Sequence, residues 1–207
     1  MASTMLFALF LLSVLTFYPP SITAQVTDGS GNVVRNGGLF YIRPHIFSLG
    51  GGIRRIKTGN ETSRLSVVQS PFETDPGLPL KITSPFRVQF IPEGPVFIDF
   101  ENDPLGANSL EWKAVEVLSE GTLVKVGYQN SLKGSFIIER ASSANTYKLL
   151  FCTPGGSLCG NVAIVNDEAG NRLLAVNQKT PFQFILTPLP STSLLGLNEP
   201  LSMKTRA

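Results

Sequence analysis

The pattern that most constrains this chain is a run of short apolar segments, each cut off by Gly, Pro, Asn or Asp before a helical stripe can develop. Twelve can be marked: Leu39 to Ile42, Leu65 to Gln69, Leu80 to Ile82, Arg87 to Ile91, Val96 to Phe100, Trp112 to Val117, Thr122 to Val126, Ser135 to Glu139, Tyr147 to Phe151, Asn161 to Val165, Arg172 to Val176 and Phe182 to Leu186. In Arg87-Val88-Gln89-Phe90 and Lys113-Ala114-Val115-Glu116-Val117 polar and apolar side chains alternate, the period of a half-buried strand. Asn36-Gly37-Gly38, Glu93-Gly94-Pro95, Glu120-Gly121 and Pro154-Gly155-Gly156 supply turns between segments. The chain is therefore expected to be all-β and to form one compact domain, as a sandwich or a closed barrel. Twelve strands divide into three sets of four, which suggests a threefold barrel, although no residue repeat demonstrates it.

Charged residues make up only 15% of the 207 and hydrophobic ones 43%, enough to fill a core and too apolar for disorder. With 17 basic and 15 acidic residues and no long basic run, nucleic acid is not expected as a partner. No side-chain charge precedes Asp28. Met5 to Tyr18 is an apolar run followed by Pro19-Pro20 and the stretch Ser21 to Ala24. It is shorter than the roughly 20 residues of a membrane span, and the Pro pair would interrupt a helix, so it reads as a signal peptide cut after Ala24. The expected organisation is a leader at 1–24, a domain at 25–187 and a flexible tail at 188–207, in which Ser193 to Leu197 could alternatively be a sorting signal or part of a propeptide. The product is expected to be secreted or vacuolar, monomeric, and free of the membrane after cleavage.

Secretion means an oxidising compartment, so Cys152 and Cys159 are expected to pair across Thr-Pro-Gly-Gly-Ser-Leu. A loop this short gains only about 2 to 2.5 kcal/mol of closure entropy, so the fold must rest on its core. Asn60-Glu61-Thr62 is the single N-glycosylation sequon, which makes Asn60 a candidate glycan site.

The residues argue against an enzyme. His45 is the only histidine available as a base for a nucleophile, and its place beside Pro44 suits a structural or surface role. Gly155-Gly156-Ser157-Leu158-Cys159 starts like a nucleophile elbow but ends in Cys and lacks the strand-to-helix setting. Asp75, Asp99, Glu101, Asp103, Glu111, Glu116 and Glu120 could meet as a carboxylate pair, yet their spacing singles out no two. Asp28-Gly29-Ser30-Gly31-Asn32 begins like a calcium loop without the sixth-position Gly or flanking helices, and is better read as a turn held by its own Asp. Arg54-Arg55-Ile56-Lys57 reads as a solvated loop cluster, with an anion or glycan contact as the sharper alternative. With three Cys and His residues in all, structural zinc is excluded, and no cofactor is expected.

An ordered series of motifs then resembles one family. Val26-x-Asp28, Gly31-Asn32, Val34, Asn36-Gly37-Gly38 and Phe40-Tyr41-Ile42 resemble the N-terminal signature of plant Kunitz inhibitors of the soybean trypsin inhibitor type. Thr58-Gly59-Asn60-Glu61, Leu65-x-Val67-Val68-Gln69-Ser70, Ser84 to Phe90, Glu111-Trp112 and Tyr147-Lys148-Leu149-x-Phe151-Cys152 continue it, from about Val26 to Leu186. The resemblance implies a β-trefoil of twelve strands. It further implies that Ser84, Pro85, Phe86, Arg87, Val88, Gln89 and Phe90 form an exposed reactive loop, with Arg87 as the primary specificity residue and Arg87–Val88 as the scissile bond. Pro85 restricts the backbone there, and a long cation suits the carboxylate-based pocket of a trypsin-like serine protease. In the family an N-terminal Asn braces this loop, a role that falls on Asn36.

The family commonly has two disulfides. Cys152 and Cys159 match the second; the first, which encloses the reactive loop, is missing, because Ser63 stands at its leading position and no Cys lies between Phe100 and Trp112. The function expected is inhibition of trypsin-like serine proteases by substrate-like insertion of the loop. The alternatives are a storage or carbohydrate-binding trefoil, and an inhibitor of another hydrolase class such as cysteine proteases.

Overall fold

A computed structural model describes residues 24–59, 65–101, 110–117, 121–156 and 158–189. It contains twelve strands: β1 (Leu39–Pro44), β2 (Ile53–Ile56), β3 (Leu65–Gln69), β4 (Leu80–Thr83), β5 (Gly94–Phe100), β6 (Lys113–Val117), β7 (Gly121–Val126), β8 (Ser135–Arg140), β9 (Tyr147–Cys152), β10 (Cys159–Asn166), β11 (Arg172–Gln178) and β12 (Gln183–Pro188). Among the described residues, helix is confined to 3₁₀ turns at Phe47–Leu49 and Pro154–Gly156.

The pairings define the architecture. β12, β1, β4, β5, β8 and β9 pair in that order, all antiparallel, and β9 pairs back to β12, which closes a six-stranded barrel. The remaining strands form the hairpins β2–β3, β6–β7 and β10–β11. Their second strands pair with one another as β3–β7, β7–β11 and β11–β3. Adding four to each strand number maps the barrel pairs and the cap pairs onto themselves. That is the threefold symmetry of a β-trefoil, legible in the strand pairing although hidden in the residues.

Burial explains why these segments are strands. Phe40 and Ile42, Leu80 and Ile82, Val96 and Ile98, Phe136 and Ile138, Leu149 and Phe151, and Phe184 and Leu186 alternate into the barrel. The three cap strands are covered on both faces. Ser66 to Gln69, Leu123 to Val126 and Leu173 to Val176 are buried without alternation. One side of the cap joins the main core, while Val68, Leu123, Leu173 and Ala175 form a second cluster on the other. Trp112 links the layers, its ring 6.1 Å from that of Phe100 and 6.2 Å from that of Phe136. Each fully buried Leu, Ile or Phe is worth about 1.5–3 kcal/mol, so a few of them outweigh the single disulfide.

Two segments differ from expectation. Arg54 to Ile56 belong to β2, not to a loop: Arg54 pairs with Asp75 at 2.6 Å, and the Arg55 guanidinium lies 5.4 Å from the centre of the Phe100 ring. Their charges are absorbed by partners distant in sequence, which lets Ile53 be fully buried. Arg87 to Ile91, conversely, is not a strand; only Phe90 makes a bridge, to Arg35. Pro188 still pairs with Phe40, so β12 runs one residue into the stretch assigned to the tail.

Candidate functional site

β4 leaves the barrel at Thr83 and the chain returns in β5 at Gly94, while the N-terminal segment 24–38 passes beneath the connection. That segment is stitched to the returning chain by Val26 N–H to Ile91 C=O at 2.8 Å, Ile91 N–H to Val34 C=O at 3.0 Å and Glu93 N–H to Ala24 C=O at 2.8 Å. Val26, Val34 and Ile91 enter the core, which anchors the base of the loop. The Asp28 turn at the segment's start is held by its own side chain: Oδ1 accepts Ser30 N–H and Asn32 N–H, each at 2.9 Å.

Between these anchors, residues 85 to 89 are all exposed. Ser84 is the hinge, only 4% exposed, and its Oγ accepts Phe86 N–H at 3.3 Å. Val88 N–H donates to Phe86 C=O at 2.9 Å, a three-residue turn with Arg87 at its apex. Arg87 has no hydrogen-bond or ion-pair partner among the described residues, and its own N–H and C=O are equally free. The flanking Phe86 and Val88 are 54% and 42% exposed, an apolar frame around an unpaired cation. Exposed apolar groups so placed mark a surface meant to be covered.

Asn36 holds the loop. Its Oδ1 accepts Ser84 N–H at 2.8 Å; its Nδ2 donates to Val88 C=O at 3.0 Å and to Phe86 C=O at 3.4 Å. Asn36 N–H also donates to Gln89 C=O at 3.0 Å. One side chain therefore touches the loop on both sides of the Arg87–Val88 bond. The Asn36-Gly37-Gly38 sequence also makes the expected turn, with Gly37 at φ +78° and Gly38 N–H bonded to Arg35 C=O, and the turn is what lifts the Asn36 amide under the loop. Sequence reasoning missed a second brace. Glu93 pairs with Arg140 at 2.9 Å, and Arg140 Nη2 donates to Gln25 C=O at 3.3 Å. No local signal joins residues 47 apart in the chain.

The other candidates fall elsewhere. Cys152 and Cys159 form the disulfide, at facing positions of β9 and β10. His45 Nδ1 bonds Thr146 Oγ1 at 3.0 Å, away from the loop. Of the seven carboxylates, Asp99 and Glu111 meet across an isolated bridge. Burial first, then the charge of Glu111, raises the Asp99 carboxyl above its ordinary range, against the opposing pull of Lys81 and Lys113. Glu111 in turn pairs with Lys113 at 2.7 Å. Asp103, Glu120, the Asn60 sequon and Ser63 lie outside the described residues.

Fold and loop together define a β-trefoil built around one presented, arginine-tipped loop. The chain belongs to the legume Kunitz family of trypsin and protease inhibitors, whose model matches residues 26–187. It is 37% identical to trypsin inhibitor A of Glycine max over 98% of this chain and 99% of that one. It is 40% identical to a chymotrypsin inhibitor of Erythrina variegata over 81% of this chain and 98% of that one. Among solved structures, soybean trypsin inhibitor in complex with porcine pancreatic trypsin superimposes with a TM-score of 0.75 at 38% identity, covering 81% of this chain and 100% of that one.

Proposed function

We propose that this protein inhibits trypsin-like serine proteases by inserting the Ser84 to Phe90 loop as a substrate, with Arg87 in the specificity pocket and Arg87–Val88 as the scissile bond. Trypsin and chymotrypsin inhibitors resemble the chain almost equally, so overall identity does not choose between those targets. Arg87 does: a guanidinium suits a pocket with a carboxylate at its base and not an apolar one. The observation that carries the reading is Asn36, bonded on both sides of a residue whose own N–H and C=O are free.

The mechanism follows from that arrangement. A loop already ordered by Asn36 loses little entropy on docking, so contact energy appears as affinity. The free Arg87 carbonyl can enter an oxyanion hole, and the nucleophile can attack. When the bond breaks, the acyl end remains beside Phe86 and the new amine belongs to Val88, both tethered through their carbonyls to the same Nδ2. The amine stays at high effective concentration and religation competes with hydrolysis. Asn36 thus holds the loop in a chain that lacks the covalent bracket.

The remaining organisation is read as an inhibitory domain from 25 to the end of β12 at Pro188, with a leader at 1–24, a tail after Pro188, secretion or vacuolar delivery, and a glycan on Asn60. Intact mass and N-terminal sequencing of the protein purified from its natural source test the leader, the tail and the glycan.

Incubating the inhibitor with catalytic trypsin and sequencing the products tests the loop. A new terminus at Val88 together with stoichiometric inhibition is expected. Inhibition without any cut at Val88, and undiminished by Arg87→Ala, would sink the assignment.

A further inference from the structure

At the Phe47–Leu49 turn, remote in sequence from the reactive loop, lies a second concavity of about 410 Å³. Its walls are apolar, built by Ile46, Leu49, Ile164, Pro181 and Phe182, and no Asp or Glu lines it. Ile46 and Leu49 stand 53% and 52% exposed at its edge. Gln69, Thr180, Gln183, Arg172 and His45 interrupt the apolar lining, and the last two are held from behind by buried residues.

The first of these two is Arg172. Gln69, 2% exposed, accepts its Nη2–H at 2.6 Å and Nε–H at 3.2 Å through Oε1, and Leu49 C=O accepts Nη2–H at 2.9 Å. Gln69 is itself fixed by donating to Leu49 C=O at 2.9 Å and Gly51 C=O at 3.1 Å. This clamp leaves the Nη1 donors without a partner among the described residues, and Arg172 forms no ion pair there. The second is His45, whose Nδ1 is bonded to fully buried Thr146 while Nε2 is unbonded.

We infer that this cavity binds a small amphipathic carboxylate, its apolar body against Phe182 and Ile164 and its carboxylate on the Nη1 edge of Arg172, with His45 Nε2 as a second polar contact. The chemistry is dictated by what the site lacks and what it holds rigid. A positive group with no carboxylate partner, positioned in advance beside apolar walls, favours an anion with a hydrophobic body over a neutral or a fully polar ligand. The volume lies in the range of small-molecule sites. The inference is independent of the protease reading, because none of these residues belongs to the reactive loop or its braces.

The test uses the whole chain, isotopically labelled, titrated with 3-phenylpropionate and separately with its neutral amide, following NMR shifts. Saturable shifts at Ile46, Ile164, Phe182 and the Arg172 Nε–H are expected, with the amide at least about tenfold weaker, as loss of a charge-assisted hydrogen bond requires. Arg172→Gln should abolish the difference between acid and amide. Because that change also loosens the Gln69 clamp, Ile46→Glu provides a second variant at an exposed position: it should weaken phenylpropionate several-fold while trypsin inhibition is unchanged. Equal binding of acid and amide, shifts mapping elsewhere, or no saturable shift at millimolar concentration would overturn the inference.

Discussion

The sequence Ser-Pro-Phe occurs twice, at 70–72 after β3 and at 84–86 after β4, and the two copies fold alike at first. Each Ser is buried, each Ser Oγ accepts the N–H of the Phe two residues on at 3.3 Å, and each Phe is exposed, 69% for Phe72 and 54% for Phe86. Then they part. Asp75 N–H closes a turn onto Phe72 C=O at 3.1 Å, Arg43 Nη2 caps Glu73 C=O at 3.2 Å, and the Asp75 carboxylate accepts Gly77 N–H at 2.9 Å. That loop is tied to itself and to barrel strand β1. The 84–90 loop makes one small turn at Arg87 and is otherwise held by Asn36, about 50 residues earlier in the chain. Local sequence sets the hinge in both; a distant amide decides which one is held out with an unpaired arginine at its tip.

The comparison can be broken at several levels. Arg87→Ala should raise the inhibition constant for trypsin by about a thousandfold, since a central anchor can carry about 4 kcal/mol; titration with active-site-calibrated trypsin measures it. Asn36→Asp keeps the acceptor for Ser84 N–H and deletes both donors to the loop carbonyls. It should weaken inhibition by about 10–100-fold, from loss of two hydrogen bonds, and turn the protein into a cleaved substrate, seen as loss of intact inhibitor over time. A variant that is weaker but not cleaved faster would show that Asn36 serves only to shape the loop. Replacing both Cys152 and Cys159 by Ser should cost about 2 kcal/mol in urea unfolding while leaving trypsin inhibition within about twofold, because the bridge clips an already paired hairpin. Glu73→Arg in the Arg87→Ala background should restore no inhibition, since the 70–75 loop has the hinge without the brace.

The smallest difference is one of pH. Burial raises the Asp75 carboxyl, but hydrogen bonds from Gly77 and Ser70 and the charge and hydrogen bond of Arg54 together bring it below its ordinary value of 3.8. A depressed folded value means that its stabilisation is complete above the ordinary value and is lost as pH falls below about 3.8 through the lowered one. The 70–75 loop should therefore loosen first in acid, while the uncharged Asn36 brace holds. An NMR titration of Gly77 N–H should show this, and Asp75→Asn should remove it.

Much of the fold could be read from alternation, because barrel strands with one face inward leave a two-residue period. The errors have physical causes. β2 was hidden because Arg54 and Arg55 look solvated until Asp75 and Phe100 are brought to them. Arg87 to Ile91 alternates like a strand but forms no continuous ladder: it bridges only at Phe90–Arg35, and Asn36 captures the backbone before it. One turn recurs at positions the threefold symmetry does not relate: Asp28-x-x-Gly31-Asn32 before β1 and Asp167-x-x-Gly170-Asn171 between β10 and β11 have Gly at φ +88° and +81° and the Asn N–H on Asp Oδ1 at 2.9 and 2.7 Å. The Asn171 side chain, foremost, and backbone N–H groups together hold the Asp167 carboxyl below its usual range against the opposing effect of burial.

By itself the sequence determined the class of fold, the cation at position 87 and the single disulfide, since each depends on residue type and short-range spacing. Tertiary structure alone decided that Asn36 lies beneath Arg87, that Glu93 and Arg140 brace its far side, and that Gln69 aims Arg172 along an apolar cavity. Those relations join residues 47 to 103 apart. No local preference encodes them; closing the barrel and packing its core bring them together.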